Sequence, residues 1–120
     1  MDHVNSGDCD ANVGCSNITT GADDVKLCTD LLTCMRTTGC WKKDPLDCLC
    51  GTATGTACAS ASANGVCKAQ VQAATKTTDA VANGTLFYSF TVPSGFATQL
   101  TACDRDFCSA ASSPPNPVCE

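Results

Sequence analysis

The chain has 120 residues, twelve of them Cys, carries a formal net charge of −5 and scatters its seven Lys and Arg along its length. That size suits one domain rather than a multidomain enzyme, and the lack of a basic stripe excludes nucleic acid as the expected partner. Cysteine at this density points to an oxidising compartment and to six structural bridges.

Residues 1–20 are polar, rich in Asp, Asn, Ser and Gly, with Cys9 and Cys15 as anchors, and read as an arm stapled onto the body. The start, Met1-Asp2-His3-Val4-Asn5, lacks the charged and apolar regions of a signal peptide, so a leader or anchor is expected to have been removed from an extracellular or cell-surface protein. No apolar run approaches the roughly 20 residues that cross a bilayer.

The body is expected over residues 21–108. From Thr20 to about Arg36 the pattern is helical: Thr20 and Asp23 resemble a capping pair, and Leu27, Cys28, Leu31, Leu32, Cys34 and Met35 share one face. Cys28 and Cys34 lie about 120° apart on that helix, so they should bridge to different neighbours. Gly39 stops it, and residues 40–45 form a turn. Residues 51–62 are small and polar around Cys58, a stapled loop.

A second helix is expected from Asn64 or Gly65 to about Ala82, with Val66, Cys67, Val71, Ala74 and Thr78 at helical spacing and Asn83-Gly84 as its stop. Packed on the first, it gives a small disulfide-rich, mainly α fold of two cross-linked helices. Next, Leu86, Tyr88, Phe90 and Val92 alternate with Phe87, Ser89 and Thr91, which predicts a minor β element near residues 85–102. Its partner is either residues 96–102 or another molecule. Residues 109–120 are a Pro- and Ser-rich tail held by Cys119.

The disulfide framework comprises Cys9, Cys15, Cys28, Cys34, Cys40, Cys48, Cys50, Cys58, Cys67, Cys103, Cys108 and Cys119. There is no C-x-x-C and no His beyond His3, so a metal centre, covalent haem and thioredoxin-like chemistry lack their ligands, and a Ser or Cys nucleophile lacks a base. Cys48-Leu49-Cys50 reads as two half-cystines pointing to opposite sides. Asp104 and Asp106 flank Arg105 in what reads as a solvated, salt-bridged turn rather than a carboxylate site. Trp41 reads as the lid of a small core, with sugar stacking as the alternative. The sequons Asn17-Ile18-Thr19 and Asn83-Gly84-Thr85 permit glycosylation.

The stretch Leu27 to Cys40, with Asp47-Cys48-Leu49-Cys50-Gly51, Gly65-Val66-Cys67-Lys68-Ala69-Gln70 and Ala102-Cys103-Asp104, resembles secreted cysteine-rich proteins of unassigned function from myxobacteria and relatives. The resemblance spans about residues 27–108 and implies export and disulfides. A narrower similarity is to CFEM domains, in which an Asp three residues ahead of a C-x-C pair is the implied axial haem ligand. Here that position is Pro45, with Asp44 and Asp47 on either side.

The reading is a non-enzymatic extracellular structural or adhesive protein, including a self-assembling surface or filament subunit, whose partner is itself or another extracellular protein. Self-association is expected through Leu86, Tyr88, Phe90 and Val92. No cofactor is expected. The alternatives are a module that binds haem or a lipophilic ligand, with Asp44, Asp47 and Trp41 as ligand-binding residues, and a secreted inhibitor or toxin presenting residues 51–62.

Overall fold

Helices carry the architecture, in the order α1 (Ala22–Thr38), α2 (Asp47–Cys50), α3 (Lys68–Thr75), α4 (Ala80–Leu86) and α5 (Pro93–Cys108). Single 3-10 turns stand at Cys15–Asn17 and Gly55–Ala57. The computed structural model describes residues 14–108. The arm to residue 13, the tail 109–120 with Cys119, and the expectations for His3 and Cys9 lie outside the described residues, as do the side chains of residues 105–108. Among the described residues, no helix is long and apolar enough to cross a membrane.

Helix α1 is the central element and packs against both α5 and α3. Asp23 and Asp24 sit in its first turn, where carboxylates favour the exposed N–H groups. The expected capping pair does not form: Gly21 is the N-cap, and the Thr20 hydroxyl donates instead to the Asp24 carboxylate. At the other end Gly39 adopts a left-handed φ of 71° and donates its N–H to Met35 O at 2.9 Å, so the helix stops where expected. Cys28, Leu31 and Met35 are fully buried, while Lys26, Thr29, Asp30 and Thr33 face solvent.

The bridges follow from that geometry. Cys28 pairs with Cys15 and Cys34 with Cys67, so the two helical cysteines do diverge. Cys40–Cys48 and Cys50–Cys58 complete the described set, and the Cys48-Leu49-Cys50 pair sends one bridge each way. Cys103 is also disulfide-bonded. Among the bridges with both partners described, Cys34–Cys67 closes the longest span, 33 residues, and constrains the unfolded chain by roughly 4 kcal/mol against about 2.5 for the eight-residue spans.

The second helix differs from expectation. Residues 64–67 run beside α2 instead of being helical: Gly65 donates to Leu49 O at 2.9 Å and Cys67 to Cys48 O at 3.0 Å. Gly65 permits this approach, because a Cβ there would stand 2.2 Å from Cys48 O. Helix α3 then ends at Lys76, which takes a left-handed φ of 61°. Asp79 opens α4 by accepting the Ala82 N–H at 2.8 Å. Asn83 and Gly84 continue that helix rather than stopping it. The Asn83 amide is 1 % exposed and donates to Thr75 Oγ1 and Thr77 O, both at 2.7 Å, which locks the α3–α4 corner.

The expected β element at residues 85–102 is replaced by the end of α4, a turn and the first part of α5. On this turn Phe87 is fully buried while Tyr88 and Phe90 are exposed. Its carbonyl accepts the Ser94 hydroxyl at 2.9 Å and the Thr98 hydroxyl at 2.6 Å, which ties the turn onto α5. Pro93 opens α5, a position where its missing N–H costs nothing. Residues 96–102, expected to pair as a strand, bury Ala97, Thr98, Leu100 and Thr101 in the helical core.

The Cys103–Cys108 segment is likewise helical rather than a turn. Asp104 is buried and pairs with Arg36 across the α1–α5 interface at 2.9 Å, in place of the solvated arrangement expected.

Candidate functional site

The α4–α5 turn places two large aromatic side chains in solvent, Tyr88 at 36 % and Phe90 at 42 % exposure. Each rests edge-on against a neighbouring ring. Phe90 meets Phe96 with centroids 5.0 Å apart, and Tyr88 meets Phe87 at 4.8 Å. The turn holds this display through the Ser89 and Thr91 hydroxyls, 2.7 Å apart, and through Gln99, which donates to Tyr88 O at 3.2 Å.

Beside these rings lies a cleft of about 140 Å³ between the 3-10 turn region and the α5 N-terminus, walled by Ile18, Phe90, Val92, Pro93 and Phe96 and, on its polar side, by Thr19, Thr20, Asp24 and Thr91. Backbone contact fixes that juxtaposition, since Gly14 N–H donates to Phe96 O at 2.9 Å and Cys15 is bridged to α1. The cleft is the size of one aromatic ring: an apolar cavity of about 150 Å³ holds benzene.

Asp24 is largely buried, and its carboxylate is held by Lys76 Nζ at 2.7 Å and by the Thr20 hydroxyl. The Lys76 hydrogen bond, then that of Thr20, lowers its pKa from the ordinary 3.8, against a smaller opposing effect of burial. The charge is thereby committed to the α1–α3 contact.

Of the expected self-association residues, the structure keeps Tyr88 and Phe90 together at the surface and sets Val92 into the cleft wall, while Leu86 ends α4 and is half-buried. Asp44, Asp47 and Trp41 do not gather around the cleft. The Asp44 carboxylate accepts the Leu46 N–H at 3.0 Å, Asp47 begins α2, and Trp41 is 8 % exposed in the core, the lid position. Of the sequons, Asn83 is buried by the hydrogen bonds described above, and Asn17 is half-buried.

Sequence reasoning missed the cleft because it joins residues 18–24 to residues 90–96, and no local pattern links the two. It also missed a sulfur cluster: the Sγ atoms of Cys40, Cys48 and Cys67 lie within 4.8 Å of one another. Each is already bonded in a bridge, so none offers a thiolate to a metal.

Among the described residues, fold and site define a small disulfide-rich helical protein with an aromatic corner. Comparison with protein-family models, with curated proteins and with solved structures finds no match to this chain.

Proposed function

We propose that the chain is a non-enzymatic extracellular protein of the structural or adhesive kind, and that it makes its contact through the aromatic corner formed by Tyr88, Phe90 and Phe96. Four bridges among the described residues suit an oxidising exterior. The observation that carries the reading is Phe90, held half-exposed at the edge of a ring-sized cleft rather than folded into it. Large aromatic side chains on a rigid turn are efficient contact residues, since little conformational entropy remains to be lost.

The partner we favour is a second copy. One face carries both exposed rings and a cleft of about the volume of one ring, which is the self-complementarity a two-fold contact uses. This replaces strand pairing as the means of assembly. Sedimentation velocity of the non-reduced protein over a wide concentration range tests it. Dimers or larger species are expected for the native chain and monomers for Phe90→Ser. A native chain that stays monomeric throughout contradicts it.

The cleft volume favours one second reading, a site for a small lipophilic ligand of one ring. A porphyrin greatly exceeds about 140 Å³, so the haem version gains no support from this cleft. Titration with a one-ring probe such as p-cresol, followed in amide spectra, distinguishes the two: ligand-induced shifts at residues 90–96 without self-association favour the binder.

A further inference from the structure

Two bridges touch at the C-terminal end of α1. Cys40 Sγ of the Cys40–Cys48 bridge lies 3.8 Å from Cys67 Sγ of the Cys34–Cys67 bridge, and Cys48 Sγ is within 4.8 Å of both. Each bridge has an outer and an inner sulfur. Cys34 and Cys40 are half-exposed, whereas Cys48 and Cys67 are fully buried. The inner residues are already neighbours in the backbone, through the Cys67 N–H to Cys48 O bond of 3.0 Å. Such proximity is what a disulfide between them requires.

A shallow groove of about 500 Å³ opens beside the outer sulfur, lined by Cys34 together with Asp30, Thr33, Thr37, Thr38 and Gln70. The exposed Asp30 carboxylate, paired with Lys26 Nζ at 2.6 Å, gives the groove a negative wall. The groove therefore combines a half-exposed half-cystine, hydroxyl groups and a carboxylate.

We propose that this groove is a thiol-exchange site, which takes a small amine-bearing thiol and relays its attack from one bridge to the other. The thiolate bonds to Cys34 Sγ, the Cys34–Cys67 bond breaks, and its electron pair leaves on Cys67. A thiolate at the fully buried Cys67 does not persist. It attacks Cys48 Sγ, the Cys48–Cys40 bond breaks, and the pair leaves on Cys40, where it takes a proton at the half-exposed surface. The net change is a mixed disulfide at Cys34, a Cys48–Cys67 bridge and a free Cys40 thiol. The number of disulfide bonds is conserved, and no outside oxidant or reductant is consumed.

The native chain tests this without any variant. It is incubated with one equivalent of cysteamine, quenched in acid, alkylated and digested with trypsin without reduction. In the native pairing the Cys34 and Cys40 peptides are both linked to the peptide of residues 44–68. After relay, Cys34 carries the cysteamine adduct, Cys40 carries the alkyl label, and both peptides come free of residues 44–68. An alkyl label on Cys48 with Cys40 joined to Cys67 also supports the relay, with Cys40 as the sulfur attacked. An adduct on Cys34 with the label on Cys67, the Cys40 peptide still linked, overturns it. So does an adduct confined to the Cys50–Cys58 bridge.

Discussion

Lys76 Nζ stands 2.7 Å from the Asp24 carboxylate, joining the end of α3 to the first turn of α1. Lys76 is also the one non-glycine among the described residues with a left-handed φ. A residue of that conformation costs on the order of 1 kcal/mol in backbone terms, and here it aims the side chain that meets Asp24. The sequence gives no hint of this pair, which lies 52 positions apart.

Because the folded state lowers the Asp24 pKa below the ordinary 3.8, the ion pair contributes stability that is fully present above that value. It is lost as pH falls through the lower folded value. Thermal unfolding of the non-reduced protein between pH 6 and pH 2 should therefore show a decline in the acid range that Asp24→Asn makes shallower. An unchanged acid limb in the variant would remove Asp24 from the account of acid stability.

Asn83 is the buried clasp of the α3–α4 corner. Replacing it with Ala removes two short hydrogen bonds and leaves their acceptors short of a donor, at an expected cost of about 2 kcal/mol. Denaturant unfolding with bridges intact measures this. The same burial predicts that the Asn83 sequon stays unmodified in a folded chain made in a glycosylating host. A glycan found at Asn83 by peptide mass analysis would contradict the packing.

Gly65 lets residues 64–67 lie against α2, since a Cβ there would come within 2.2 Å of Cys48 O. Gly65→Ala should therefore destabilise the chain by about 2 kcal/mol or more. It should also raise the reactivity of the Cys34–Cys67 and Cys40–Cys48 bridges, which that contact aligns. Alkylation rates under mild reduction report the second effect.

The first helix was legible in the sequence because its buried stripe, its Gly39 stop and the divergence of Cys28 from Cys34 are all set by helical periodicity within one segment. The two half-cystines flanking Leu49 were legible for the same local reason. The break between α3 and α4 was not, because it depends on a left-handed Lys76 held from another helix and on an Asn83 amide that reaches back across the corner. The aromatic stretch misled because its period-two texture is real, while Phe87 packs into the helical core and its carbonyl is held by Ser94 and Thr98 hydroxyls that only α5 brings near. Tyr88 and Phe90 were identified as contact residues on the pattern of a strand, and they stand exposed on a turn.

Contact through the aromatic corner is tested most directly by amide spectra of the non-reduced native chain recorded from dilute to concentrated solution. Self-association at this surface requires concentration-dependent shifts that centre on Tyr88, Phe90 and Phe96 and vanish in Phe90→Ser. Shifts centred on another face, or spectra that do not change with concentration, would contradict it.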